Sequence, residues 1–128
     1  MKCHDIGALG ENTAIKFLKK NGYRILERNR HESHNEIDVI AVDREHIVFV
    51  EVKARSVTAD GYSPYGSPAS FVTKGKQERL LRAASQYLQK NPRYHDLQPR
   101  LDVIEVYVEK TTEKILNVHH IENAFGRY

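Results

Sequence analysis

The sequence predicts an α/β protein in which a mixed central sheet is flanked by helices, in the order αβββαβ with one added strand. Two apolar runs of strand length, 36–42 and 47–54, are separated by a short polar segment typical of a hairpin. Two longer segments, 5–21 and 76–90, repeat their apolar residues with a helical period. Because the hairpin is apolar on both faces, we expect a helix on each face of the sheet.

The remaining segments complete this order. At 128 residues the chain has the length of one ordinary domain, so we expect a single domain over residues 1–128. The further elements expected are a strand over 23–29, a polar turn over 30–35, a long loop over 56–75, a strand over 101–108, an edge strand over 115–118 and a helical turn over 122–125.

The composition narrows the class of protein. Twenty Lys and Arg against seventeen Asp and Glu give a net charge of +3, which permits a polyanionic partner without requiring one. The single cysteine, Cys3, excludes an internal disulfide and a zinc site built from cysteines. No apolar run approaches the ~20 residues that span a bilayer, and the first ten residues do not resemble a signal peptide. We therefore expect a cytoplasmic protein without a membrane partner.

The hairpin places two acids in apposition. If Arg44 and Glu45 form the loop, antiparallel pairing puts Asp43 opposite His46, Ile40 opposite Phe49 and Asp38 opposite Glu51. Alternation then predicts Ile37, Val39, Val48, Val50 and Val52 on one face, and Ile40, Val42, Ile47 and Phe49 on the other. Glu51 and Lys53 share the second face, so the predicted constellation is Asp38, Glu51 and Lys53.

These three residue types suit metal-dependent phosphodiester hydrolysis. Opposed residues have Cβ atoms ~4.5–5.5 Å apart, so their carboxylates can share one divalent cation. Oxygen ligands favour Mg²⁺ or Mn²⁺, and Lys53 could orient the attacking water or stabilise the transition state. The alternative is an ordinary solvated strand end, with Lys53 in a weak surface ion pair.

Glu11 is a fourth candidate, both as a catalytic residue and as a metal ligand. It lies three and four residues before Ala14 and Ile15, on the inward stripe of the first helix. An acid that faces the core needs a positive charge or a hydrogen-bond donor beside it. Alternatively, Glu11 only complements the positive end of the helix.

Several cations are candidates for phosphate binding. They flank the hairpin and the start of the second helix, and are Arg28, Arg30, Arg55, Lys74, Lys76 and Arg79. A solvated helix face explains the helical group equally well. Tyr62 and Tyr65 of the long loop could stack on bases or pack locally. The seven histidines show no metal-binding spacing, and we interpret them as surface or core residues.

The motifs in combination resemble the YraN-type family of endonuclease-like proteins over nearly the whole chain. They are Gly7, Gly10-Glu11, Gly22 to Leu26, Arg28-Asn29, Glu36 to Ile40, Phe49 to Arg55, Arg100 to Val103 and His120 to Phe125. The family is similar to archaeal Holliday junction resolvases. The resemblance implies a restriction-endonuclease-like fold, metal ligation by Asp38 and Glu51, catalysis by Lys53 and a helix-borne acid at Glu11. Asn35 departs from the glycine usual at that position.

The sequence thus predicts a Mg²⁺- or Mn²⁺-dependent endonuclease acting on DNA, branched or single-stranded DNA included. The alternative is a non-catalytic nucleic-acid-binding module on a nuclease fold, accessory to recombination, repair or RNA processing. A scaffold that binds neither metal nor nucleic acid is a third reading. A homodimer is compatible with the sequence, which does not determine the oligomeric state.

Overall fold

A computed structural model of the protein describes residues 6–58 and 72–125, and two helices and five strands form its framework. In chain order these elements are α1 (Ile6–Lys20), β1 (Arg24–Glu32), β2 (Asn35–Val42), β3 (His46–Val57), α2 (Lys74–Lys90), β4 (Gln98–Glu109) and β5 (Ile115–Ile121), with a short 3₁₀ helix at Pro92–Tyr94. The predicted αβββαβ order with an added strand is confirmed.

The five strands form one mixed sheet in the order β1-β2-β3-β4-β5. Neighbouring strands are antiparallel except β3 and β4, which are parallel. A parallel pair needs a crossover connection, and α2 lies in the connection between these two strands. The site-bearing hairpin, β2 with β3, therefore lies at the centre of the sheet, with strands on both sides.

Each helix covers one face of the sheet, as the two apolar faces of the hairpin predict. On one face, α1 contributes Ala14, Ile15 and Leu18 against Val39, Ala41, Val48, Val50, Ile104, Val106 and Val108. On the other, α2 contributes Leu80, Ala83, Ala84 and Tyr87 against Ile37, Ile40, Val42, Ile47, Phe49 and Leu101. Both clusters are almost fully buried, so the sheet is fixed between two apolar layers.

The predicted hairpin is confirmed around its turn. Ile40 lies opposite Phe49, and the N–H of Asp43 donates to the carbonyl of His46 at 3.0 Å. The Asp43 carboxylate accepts from the N–H of Glu45 at 2.9 Å and of His46 at 2.7 Å, which stabilises the turn.

Strand alternation fails at one position. The sequence predicts Ile37 on the same face as Val39, and this is wrong, because Ile37 packs in the cluster beneath α2. Asn29, which stands across from Asp38 between two registered pairs of β1 and β2, has a left-handed φ of 54°. A backbone distorted at this point does not keep the period of two that assigns faces.

The predicted boundaries also need correction. The turn predicted over 30–35 is only two residues long, because β1 continues to Glu32 and Asn35 already pairs with it. Asn35 lies in β2 without a left-handed φ, so the glycine usual in the family is not required here. β3 extends to Val57, α2 begins at Lys74, and β4 and β5 are longer than predicted.

Most of the loop predicted over 56–75, with Tyr62 and Tyr65, lies outside the described residues. The segment 122–125 forms turns, in the place of the predicted helical turn. No helix in the described ranges is long and apolar enough to cross a membrane.

Candidate metal and phosphate site

The site begins where β2 and β3 separate. Their registered pairing ends at Val39 and Val50, one pair before the predicted pair of Asp38 with Glu51. The N–H of Val52 donates to Oδ2 of Asp38 at 2.8 Å. A side-chain carboxylate thus accepts a strand N–H at this end of the hairpin, which holds Asp38 against β3.

Glu51 projects from β3 on the face that α2 covers, next along the strand after Phe49. Its side chain is 7 % exposed, and Oε1 has no hydrogen-bond partner among the described residues. Oε2 lies 3.7 Å from Nζ of Lys53 and 3.8 Å from Nζ of Lys76. Among the described residues, one buried oxygen of this carboxylate therefore lacks a donor, while two ammonium groups approach the other.

The charge of Glu51 acts on Asp38. Burial and this charge together raise the pKa of Asp38 to about 6, although the hydrogen bond from the N–H of Val52 opposes the rise. Two carboxylates in one half-buried site repel each other, and a bound cation would relieve that repulsion. The structure thus groups Asp38, Glu51 and Lys53 at one end of the hairpin, without the registered pairing of Asp38 and Glu51 that the sequence predicts, and adds Lys76.

Glu11 approaches the acids from α1, on the other side of the sheet. Burial and the charge of Asp38 raise its pKa, while a hydrogen bond from the Asn29 side chain and the charge of Arg28 lower it. Gly10 makes this approach possible: a Cβ at that position would lie 2.9 Å from Cβ of Ala54. The glycine allows α1 to lie close against β3 and brings Glu11 towards the end of the hairpin.

The acids are candidates for a small set of ligands to a divalent cation. Within residues 6–58 and 72–125 no cluster of three or more His, Cys, Asp or Glu side chains could hold a metal ion. Mg²⁺ commonly uses only one or two carboxylates and keeps several waters, so two acids suffice. The free oxygen of Glu51 and the raised pKa of Asp38 both fit such an ion.

The predicted phosphate-binding cations fall into two groups. Lys74 and Arg79 are exposed on the first turns of α2, and Lys76 is partly exposed between them. Arg28 is also exposed, 2.9 Å from Oδ1 of Asn12 and 3.8 Å from the carboxylate of Glu11. Lys76 and Arg28 thus lie within 3.8 Å of an acid of the site, while Lys74 and Arg79 are exposed on the same end of α2 as Lys76.

Arg30 has partners within the protein instead. Its guanidinium lies 3.0 Å from the buried carboxylate of Glu32, 3.6 Å from that of Glu27, and over the ring of Tyr87 at 5.3 Å. The role of Arg30 in the described structure is to tie β1 to α2.

Arg55 belongs to a polar block that the sequence reasoning missed. Its Nε donates to Oε2 of the buried Glu105 at 2.8 Å, and Tyr107 hydrogen-bonds the other oxygen of Glu105. In the parallel register Lys53 lies beside Glu105, and Arg55 beside Tyr107. The sequence did contain a signal for this block, because Glu105 is an acid within the largely apolar strand predicted over 101–108. The block continues the face of Glu51 and Lys53 along the sheet.

A second network around Asp102 was also missed. Arg100 donates to both carboxylate oxygens of this fully buried acid at 2.9 Å, and also donates to the hydroxyl of Tyr23 at 2.6 Å. His120 and the N–H of Asn123 complete its partners at 2.8 and 2.9 Å. Burial alone would raise the pKa of Asp102, but these hydrogen bonds outweigh burial and lower it. The network joins β4 to β5 and to the start of β1.

Comparisons with known proteins give a consistent set of relatives. A model described as "Uncharacterised protein family UPF0102" matches residues 10–106. A UPF0102 protein of Acetivibrio thermocellus is 45% identical over 93% of this chain and 89% of its own length. A UPF0102 protein of Chlorobium phaeobacteroides is 42% identical over 95% of this chain and 94% of its own.

Two solved structures are similar to this chain at low sequence identity. An XisH family protein from Nostoc punctiforme has a TM-score of 0.44 and 12% identity, over 89% of this chain and 98% of that one. SfsA of Pyrococcus furiosus, solved in complex with Ca²⁺, has a TM-score of 0.36 and 12% identity, over 88% of this chain and 62% of its own.

Proposed function

This chain belongs to the UPF0102 family, as its motifs predicted, and we propose that it is an endonuclease that hydrolyses phosphodiester bonds of DNA with Mg²⁺ or Mn²⁺ held by Asp38 and Glu51. One observation carries the proposal. Glu51 is buried with one oxygen that has no hydrogen-bond partner among residues 6–58 and 72–125, beside a second acid whose pKa is raised and near two lysine ammonium groups. Two buried carboxylates next to each other are unfavourable inside a protein unless a bound cation compensates their charges.

The cation fits the residues present. Asp38 and Oε1 of Glu51 would hold it, with waters completing its coordination. When bound, it supplies Lewis-acid activation of a phosphate oxygen and of a water molecule. Glu11, whose pKa is raised by burial and by the charge of Asp38, would assist this site from the α1 side.

The chain's own residues then act on the phosphodiester. Lys53 stands beside Glu51 on the same strand and stabilises the negative charge that grows on the phosphate oxygens in the transition state. The attacking water forms a P–O bond and loses a proton to solvent, while the bond to the leaving sugar oxygen breaks and that oxygen takes up a proton. Lys74, Arg79 and Arg28 hold neighbouring phosphates.

A cleavage assay tests the proposal. Four-way junction, single-stranded and duplex DNA are each incubated with the protein in Mg²⁺, Mn²⁺ or EDTA. We expect metal-dependent cleavage that falls about 100-fold or more in Glu51→Gln, because loss of metal binding removes several kcal/mol of transition-state stabilisation. Glu78→Gln, which changes an exposed acid of α2, is the matched control and should retain full activity.

The result also separates the alternative reading. A protein whose DNA affinity is the same in EDTA and in Mg²⁺, and which cuts none of these substrates, is a nucleic-acid-binding module on a nuclease fold. Cleavage that persists in Glu51→Gln contradicts the proposed site, even if the activity is real.

A further inference from the structure

We propose that Lys76 is a second active-site lysine, which contacts the scissile phosphate from α2 while Lys53 contacts it from the sheet. This inference rests on the proposed function and assigns one more catalytic residue to the same site. Lys76 is the only residue of α2 that the structure records within ion-pair distance of Glu51 among the described residues, with Nζ 3.8 Å from Oε2.

The start of α2 fixes where this side chain originates. Thr73 caps the helix, and its hydroxyl accepts the N–H of Lys76 at 3.1 Å. The first turn contains Lys74 and Lys76 and no acid. Cations are disfavoured at the positive end of a helix, so helix stability does not explain these lysines. An anion bound in front of them would, since the helix end and both ammonium groups attract it.

The position of Lys76 relative to Glu51 is specific. Lys53 and Lys76 approach the same oxygen, Oε2, at 3.7 and 3.8 Å, and Oε1 is left for a cation. The charge of Lys76 also opposes the rise in the pKa of Asp38, so its field reaches both acids. Lys76 thus lies at the acid pair, whereas Lys74 is exposed two residues earlier.

The charges of the reaction account for a second lysine. A divalent cation cancels the charges of Asp38 and Glu51, and Arg28 lies 3.8 Å from the carboxylate of Glu11, which leaves Lys53 as a single uncompensated positive charge if it acts alone. A phosphodiester carries one negative charge, and attack by hydroxide builds a second in the transition state. With Lys76 present, two ammonium groups face the phosphate. Their two positive charges exceed the single negative charge of the bound phosphodiester and balance the two negative charges of the transition state, so Lys76 favours the transition state over the bound substrate.

The same geometry predicts opposite effects on metal binding and on rate. Without DNA, Lys76 competes electrostatically with a cation for the Glu51 carboxylate. With DNA bound, it stabilises the reacting phosphate. Replacing Lys76 by a neutral residue should therefore tighten metal binding and slow cleavage, a combination that loss of folding would not produce.

The experiment compares Lys76→Met with Arg82→Met, the removal of an exposed cation from the same helix. Titration calorimetry with Mn²⁺ alone should show severalfold tighter binding in Lys76→Met and no change in Arg82→Met. Single-turnover cleavage at saturating DNA and Mn²⁺ should fall roughly 10- to 100-fold in Lys76→Met and stay near wild type in Arg82→Met. Lys76→Arg, which keeps the charge, should recover part of the rate.

The outcomes distinguish the two proposals. If wild type cleaves, Glu51→Gln does not and Lys76→Met cleaves at the wild-type rate, the inference is wrong and the proposed function stands. If wild type cleaves nothing, the proposed function fails, and the Mn²⁺ titration still decides whether Lys76 acts on the acid pair. Unchanged or weaker Mn²⁺ binding in Lys76→Met overturns the inference.

Discussion

The carboxylate of Asp38 accepts a hydrogen bond of 2.8 Å from the backbone N–H of Val52. An amide oxygen can accept the same bond, so Asn at this position keeps the contact and removes only the charge. Asp38→Asn therefore separates the electrostatic role of this residue from its place in the fold.

The first prediction concerns the pH dependence of stability without metal. Because the pKa of Asp38 is raised from 3.8 to about 6 by burial and by Glu51, the folded state binds the proton more tightly than the unfolded state. The free energy of unfolding should therefore fall as the pH rises from about 4 to 6, by roughly 2–3 kcal/mol from this group.

Urea denaturation at several pH values checks this. Asp38→Asn should remove most of the fall and melt at or above the wild-type temperature at neutral pH. Saturating Mg²⁺ should remove this fall in the free energy of unfolding in wild type, because the cation favours the ionised acid. An apo Asp38→Asn protein that melts well below wild type, with the same response to metal, would identify the carboxylates as structural.

The second prediction concerns the close packing of α1 on β3. Gly10→Ala puts a Cβ 2.9 Å from Cβ of Ala54, so the helix must move away from the strand. We expect a loss of ~1–3 kcal/mol in the free energy of unfolding and weaker Mn²⁺ binding, because Glu11 moves with the helix. Gly75→Ala is the control: its Cβ meets only Arg79 at 3.5 Å, and helix propensity should make it neutral or slightly stabilising. A Gly10→Ala protein with wild-type stability would contradict the packing.

The third prediction separates the Asp102 network from the catalytic site. Asp102→Asn leaves the buried Arg100 without its counter-charge, which should lower the free energy of unfolding by ~3–5 kcal/mol in urea. Glu122→Gln removes a partner that is 60% exposed and 3.8 Å from the same arginine, so its effect should stay within ~0.5 kcal/mol.

His120→Gln should retain the cleavage rate of the folded protein. A large loss of rate in His120→Gln would place this network in the reaction.

The fourth prediction concerns the salt dependence of DNA binding. Arg79 is exposed near the start of α2, from which Lys76 reaches Glu51, so Arg79→Ala should reduce the slope of log affinity against log salt by ~0.7–0.9. Arg30→Ala should leave this slope unchanged and lower stability, because Glu32, Glu27 and Tyr87 already engage its guanidinium. Equal slopes for wild type and Arg79→Ala, in fluorescence anisotropy titrations, would exclude this part of α2 from the interface.

Local sequence was sufficient for much of the framework. The hairpin register follows from a short turn and alternating apolar residues, and the pairing of Ile40 with Phe49 agrees with it. The same alternation fails for Ile37, because the left-handed backbone at Asn29 belongs to the neighbouring strand and local pattern does not reveal it. Apolar periodicity thus determines the layers of this sheet, but not the distortion at its functional end.

Long-range register determined what the sequence reasoning missed. Arg55 meets Glu105 only because β3 and β4 are parallel neighbours, 50 residues apart in the chain. Lys76 approaches Glu51 because α2 starts above that end of β3. Periodicity assigns residues to strands and helices but does not give the relative position of distant elements, so the sequence grouped Arg30, Arg55 and Lys76 by charge alone.

The most direct measurement is a crystal structure of the protein soaked in Mn²⁺, with anomalous diffraction data collected at the manganese edge. We expect one strong anomalous peak between the carboxylates of Asp38 and Glu51, with Oε1 of Glu51 as a ligand, and no peak at this place in crystals of Glu51→Gln. A well-diffracting wild-type crystal whose manganese lies elsewhere, or with Oε1 still without a ligand at saturating Mn²⁺, would contradict it.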